Sequence, residues 1–90
     1  LKHFTTHTRV HIQPEGDHTT LELTCKDRHG LLSLISRILL AHGVHISHAK
    51  IGTYGEKVED SFHLTDAQHH PLTDAATLAA LKQALLTALQ

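Results

Sequence analysis

Asp27-Arg28-His29-Gly30-Leu31-Leu32 separates two runs of different periodicity. Before it, Leu21, Leu23 and Cys25 alternate with polar residues, the period-two pattern of a strand with one buried face. After it, Leu31, Leu34, Ile35, Ile38 and Leu39 recur at spacings of three and four, the pattern of an amphipathic helix. The six residues therefore predict a strand-to-helix turn. Gly30 lets the backbone bend sharply or approach another group closely. The helix start presents N–H groups with no partner inside the helix, and its partial positive charge suits a carboxylate. The same spacing also suits a plain turn in which Asp27 only flanks or caps the helix.

Toward the N-terminus, residues 19–26 read as a strand. Residues 8–13 read as another, with Val10 and Ile12 on one face. Pro14-Glu15-Gly16-Asp17 between them is a turn by composition, so the two strands form a hairpin. Residues 1–7 show no pattern and read as a lead-in.

Toward the C-terminus, the helix 31–42 ends at Gly43. Residues 44–54 read as a strand whose apolar positions change parity. A bulge near Ser47-His48 puts Val44, Ile46, Ala49 and Ile51 on the core side. After a turn at Gly55-Glu56, residues 57–65 form a strand with Val58, Phe62 and Leu64 inward. Asp60 shares their parity, where a carboxylate needs a donor or water. An ion pair across the strands between Lys50 and Asp60 is expected. Residues 66–72 are a polar loop, and Thr73 or Asp74 caps a last helix through Leu78, Leu81, Leu85 and Leu89. Leu34, Ile35, Ile38, Leu81 and Leu85 are expected in the core.

The order ββαββα, with one polar face per strand and two amphipathic helices, predicts an α+β, ferredoxin-like sandwich. A four-stranded antiparallel sheet would carry both helices on one face. Right-handed crossovers put strand 57–65 between 19–26 and 44–54, with 8–13 on the free edge. Residues 8–90 then make one domain.

Composition excludes several functions. The net charge of −1 gives no basic footprint for nucleic acid, and 3% aromatic residues give no base-stacking platform. The open sheet face carries Thr20, Glu22, Thr24, Glu59, Ser61 and His63, without the aromatics of an RNA-binding sheet. No apolar run reaches the length of a membrane span, so no membrane partner is expected. Cys25 reads as a small core residue, and one cysteine forms no internal disulfide, which fits a reducing, cytoplasmic setting. The chain begins at Leu1 and contains no Met, so it is expected to be a piece of a longer protein. Eleven histidines are spread over every element. His42, His45 and His48 are close in sequence but straddle a helix end and a strand, so their side chains should diverge. No zinc spacing is present, and no metal site is expected.

Taken together, Asp27 to Leu32, Gly43, the run Ala49-Lys50-Ile51-Gly52-Thr53-Tyr54-Gly55 and the run Glu59-Asp60-Ser61-Phe62 resemble an ACT domain. More narrowly, the chain is similar to the C-terminal ACT domain of the bacterial PII uridylyltransferase/uridylyl-removing family. That family carries D-R-x-G-L-L, A-K-I-x-T-x-G and E-D-x-F segments. The likeness covers about residues 19–89. Gly52 and Tyr54 fill variable places in the pattern, and histidine richness is no part of it. The leading strand 8–13 agrees with the family's rearranged domain.

The resemblance implies a regulatory domain that senses an amino acid, glutamine above all, where two ACT domains meet. Glutamine would shift the enzyme of nitrogen metabolism from uridylylating PII toward removing the uridylyl group. The nucleotidyltransferase and hydrolase domains would lie N-terminal to this chain and use a divalent metal such as magnesium. This domain would have no catalytic residues and no cofactor. The implied ligand site is Asp27, Arg28, His29, Gly30, Leu31 and Leu32, faced by Ile46, Ser47 and His48. The amides of Gly30, Leu31 and Leu32 would meet the ligand carboxylate, and Asp27 its ammonium. Two other readings remain: an ACT module that only pairs with another ACT domain, self or tandem copy, and a histidine-rich metal-binding domain.

Overall fold

The computed structural model describes residues 7–90. The lead-in expected over residues 1–7 lies outside them except for His7, which is exposed. The elements run β1 (Arg9–Glu15), β2 (His18–Lys26), α1 (Leu31–Ala41), β3 (His45–Tyr54), β4 (Lys57–Thr65) and α2 (Ala75–Leu89). The sheet order is β1-β2-β4-β3, and every neighbouring pair is antiparallel. This is the ferredoxin-like ACT fold expected from the sequence, with β1 on the free edge.

Three strand starts shift by one residue, to Arg9, His18 and His45, and two element ends differ from the expected ones. β1 continues through Pro14 to Glu15, which pairs with His18, so the turn shrinks to Gly16-Asp17. Proline is tolerated there because β1 is an edge strand and its missing N–H removes no ladder bond. α1 ends at Ala41, one residue early. Gly43 takes φ 71°, with its N–H on Leu40 O at 2.9 Å and the Val44 N–H on Leu39 O at 2.9 Å. That paired closure satisfies carbonyls the last turn leaves free. At the other end of α2, Asp74 is the cap: its Oδ2 accepts from the Thr77 N–H at 2.9 Å and the Thr77 hydroxyl at 2.8 Å.

The core lies between one sheet face and the helices. Val10, Leu21, Leu23, Cys25, Val58, Phe62 and Leu64 all project to that face, and Leu31, Ile35, Leu39, Leu81, Leu85 and Leu89 close over them. Ile35, Leu81 and Leu85 are buried as expected, whereas Leu34 and Ile38 are only half-buried at the margin of the cluster. α1 buries the narrower stripe of Leu31, Ile35 and Leu39. Burial pushes the Cys25 thiol above its ordinary range, as befits a core cysteine. Thr19 is buried too. Its hydroxyl donates to Leu72 O and accepts from the Leu72 N–H, both at 2.8 Å, which fastens the loop after β4 to the sheet.

β3 carries the expected bulge: its register against β4 shifts between Ile46 and His48. The extra residue, Ser47, donates its hydroxyl to His63 O at 3.3 Å. Ile46, Ala49 and Ile51 consequently pair with Leu64, Phe62 and Asp60, all on the core side. Val44, just before the strand, is buried, but Ile46 and Ile51 keep 38% and 50% of their surface exposed. The Lys50–Asp60 ion pair does not form. Lys50 pairs with Ser61 and projects from the opposite face, while Asp60 is buried under the helices.

Candidate functional site

The turn after β2 is fixed by its backbone and leaves its polar groups available. The Asp27 N–H donates to Glu56 O at 2.7 Å, extending the β2–β4 ladder one step past the strand ends. Among the described residues the Asp27 carboxylate makes no hydrogen bond or ion pair, and no side chain caps α1. Asp27 is therefore not a helix cap. Gly30 takes φ 74° immediately before Leu31, a conformation open to glycine without strain. The Leu31 N–H is spent on Arg28 O at 3.3 Å, and Leu34 reaches Gly30 O at 3.0 Å. Of the expected Gly30, Leu31 and Leu32 amides, those of Gly30 and Leu32 have no partner among the described residues, and the Ser33 N–H is free as well. Arg28 extends to the end of α2, where Nη1 donates to Ala88 O at 3.4 Å.

A cavity of about 270 Å³ opens beside this turn. Asp27, Arg28, Gly30, Leu31, Leu32 and Ser33 line one side. Ile51, Thr53, Val58 and Asp60 line the other. Its size falls near the lower end of small-ligand sites, roughly 300 Å³ upward. Register explains the far wall. β2 and β3 run in the same direction, one on each side of β4. Cys25, Val58 and Thr53 stand in one row, and Leu23, Asp60 and Ile51 in the next. The end of β2 thus faces the end of β3.

The strand residues expected opposite the turn lie elsewhere. Ile46 shares a row with Leu64 and Thr19, near the start of β2. Ser47 and His48 line a different cavity, and His29 is exposed and lines neither. No pattern in the sequence marks Ser33, Ile51, Thr53 or Val58 as site residues, although the inward parity of Asp60 is legible there.

Asp60 is the site's unusual group. It is 4% exposed, and its Oδ1 accepts from the Gly52 N–H at 3.3 Å. Burial pushes its carboxyl above the usual carboxylate range. The Gly52 bond pulls it back in part, and the charge of Asp27 adds to the rise. The cavity therefore has the Asp27 carboxylate and two free amides at the positive end of α1 on one side, the Asp60 carboxyl on the other, and apolar Leu31, Ile51 and Val58 in its lining. A zwitterion with a short side chain matches that distribution of charge.

The fold defines the class: an ACT-type ββαββα sandwich, with a cavity of about 270 Å³ at the start of its first helix. The chain is homologous to one segment of the bifunctional uridylyltransferase/uridylyl-removing enzymes. It is 42% identical over 92 residues to that of Pseudomonas entomophila (strain L48), a match covering 100% of this chain and 10% of the relative. It is 43% identical over 88 residues to that of Ectopseudomonas mendocina (strain ymp), covering 96% of this chain and 10% of the relative. The enzyme of Pseudomonas putida (strain W619) is 42% identical over 92 residues, again 100% of this chain and 10% of the relative. The chain spans about a tenth of the length of these curated relatives. No family model matches, and no solved structure matches significantly. No helix among the described residues is long and apolar enough to cross a membrane.

Proposed function

We propose that this chain is a regulatory, non-catalytic ACT domain that binds an amino acid, glutamine first among the candidates. Binding would govern the uridylyltransferase and uridylyl-removing activities of a longer enzyme that acts on PII. The observation that carries this reading is a free Asp27 carboxylate and the free Leu32 and Ser33 amides lining one cleft. The amides suit the ligand carboxylate, and Asp27 suits its ammonium. Relatives named for both activities support the assignment to that enzyme class. A regulatory effect on a remote site requires that the ligand bind two domain arrangements with different affinity. A second ACT domain, self or tandem copy, would supply the other arrangement by seating on β3. The exposed Leu32, Ile46, Ile51 and Tyr54 favour such pairing.

That same apolar edge supports a second reading, in which the domain pairs and binds no ligand. Calorimetry with glutamine, glutamate and other amino acids, on the chain and on Asp27→Ala, separates the two. Losing a hydrogen bond to a charged group costs about 1.5–3 kcal/mol, so glutamine affinity should fall about ten- to a hundredfold in the variant. The melting temperature should not move, because the Asp27 side chain is exposed. Association at high micromolar concentration, with no heat from any amino acid, would leave pairing alone.

A further inference from the structure

The second cavity lies on the outer face of the sheet, away from the helices, and encloses about 400 Å³. Four of the chain's eleven histidines line it: His18, His48, His63 and His69. They come from β2, β3, β4 and the loop before α2, so no spacing in the sequence announces them. Strand order assembles them. His48 and His63 are direct partners across β3 and β4, placed by the bulge at Ser47. His18 reaches His63 diagonally, its ring stacked at 3.8 Å between centroids and 18° between planes.

His18 carries the signs of a ligand held from behind. Its Nδ1 lies 2.9 Å from Asp17 Oδ1. A carboxylate only accepts, so Nδ1 bears the hydrogen, and in the neutral ring the lone pair sits on Nε2. That Nε2 is buried and has no hydrogen-bond partner. A carboxylate behind one ring nitrogen and an unengaged lone pair on the other is the arrangement that orients metal-binding imidazoles. The His48–His63 pair supplies the spacing. Two imidazoles bound to one tetrahedral ion at about 2.0–2.1 Å have centroids roughly 5 Å apart. The two rings stand 5.1 Å apart, tilted 39°.

We propose that His18, His48 and His63, with His69 as a fourth donor and Asp17 behind His18, form a site for a divalent transition metal of the imidazole-preferring class, zinc in the first instance. Among the described residues no three donors already converge on one point. Closure therefore requires rotation of side chains: the stacked His18 and His63 rings must splay, and His69 must turn inward. His48 and His69 are exposed, so their rotation meets little packing. The site is independent of the effector cleft, which lies on the opposite face and at the other end of β3.

The test is titration of the 90-residue chain with zinc chloride by calorimetry at pH 7.5, and with cobalt chloride by visible absorption. The expected result is one ion per chain, with the intense visible bands of tetrahedral cobalt. His48→Asn, on an exposed edge strand, should abolish the tight event without lowering the apo melting temperature. His63→Asn should do the same. Asp17→Asn should weaken it by about 10- to 100-fold while keeping one ion per chain. His42→Gln and His45→Gln, outside the cavity, should leave affinity unchanged. The proposal is overturned by several weak ions per chain, by octahedral cobalt spectra, or by loss of binding in the His42 and His45 variants with none in His48→Asn.

Discussion

β2 and β3 run in the same direction on either side of β4, and both carry apolar residues on the core side. Their fates differ. Leu21, Leu23 and Cys25 of β2 are at most 2% exposed, whereas Ile46 and Ile51 of β3 stay 38% and 50% exposed. The strands are alike in pattern; β2 is paired on both sides and β3 on one, and the cover above them differs as well. The apolar stripes of α1 and α2 close over β1, β2 and β4 and stop short of β3. Alternation in a sequence reports which side a residue faces; burial depends on whether an element covers that side. On β3 that leaves an apolar surface which the proposed second ACT domain would cover.

The sharpest way to break this comparison is to truncate matched positions. Phe62, central in β4, is fully buried, and Phe62→Ala should cost about 3–5 kcal/mol through transfer and cavity terms. That is most of the stability of a domain this small. Ile51→Ala should cost less than about 1 kcal/mol, because half the side chain already meets water. Urea midpoints measured at low micromolar concentration would decide. Equal shifts would mean that β3 is covered in solution, by a copy or by a rearranged α1.

A smaller effect separates the two glycines on either side of the cleft. A Cβ added at Gly30 meets nothing within 4 Å, so Gly30→Ala is opposed only by φ 74° and should cost about 1–2 kcal/mol. Gly30→Asn should recover part of that, since asparagine tolerates this region. At Gly52 the backbone is ordinary, but a Cβ would lie 3.0 Å from the Tyr54 ring and 3.1 Å from Glu59 O. Tyr54 is exposed and free to swing, yet the carbonyl belongs to the β3–β4 ladder. Asparagine should therefore rescue nothing at Gly52. Thermal melts of Ala and Asn variants at both sites give the answer. Rescue at both, or at neither, would erase the distinction between strained turn and crowded strand.

Local pattern made the elements, the bulge and the strand order legible in the sequence, because each rests on parity, a glycine or a connection rule. What was not legible depends on lateral register. The residues across from the α1 start are Ile51 and Thr53 rather than 46–48, because the β2–β4 and β4–β3 pairings align the far ends of β2 and β3. Two offsets must be known before that row can be read. The Lys50–Asp60 pair failed for a related reason: the bulge that turns Ile51 inward turns Lys50 outward. The histidines needed the registers of three strands, β2, β4 and β3. Residues 18, 48 and 63 line one cavity only in the folded sheet.

The smallest effect concerns Asp60, where the covered and uncovered strands meet. Its partner across the ladder is Ile51, and its carboxylate holds the Gly52 N–H of β3. Burial raises its carboxyl above the ordinary carboxylate value, so the folded state binds this proton more tightly than the unfolded chain does. By linkage, the contribution is fully present below about pH 3.9, the unfolded value, and is lost as pH rises through the raised folded value. Above that range, burial of the Asp60 carboxyl is therefore a burden on the fold. Asn keeps an acceptor for the Gly52 N–H and carries no charge. Asp60→Asn should raise the urea midpoint at pH 7, and the gain should shrink as pH falls, vanishing near pH 3.9 and below. Acidic residues with lowered values, Asp66 and Asp74 among them, act in the opposite sense. Wild type and variant share them, so the difference between the two midpoint curves isolates Asp60. A variant less stable than wild type at pH 7 would show that the charge itself holds β3 to β4. The uncovered strand would then owe its place to an electrostatic bond rather than to the ladder alone.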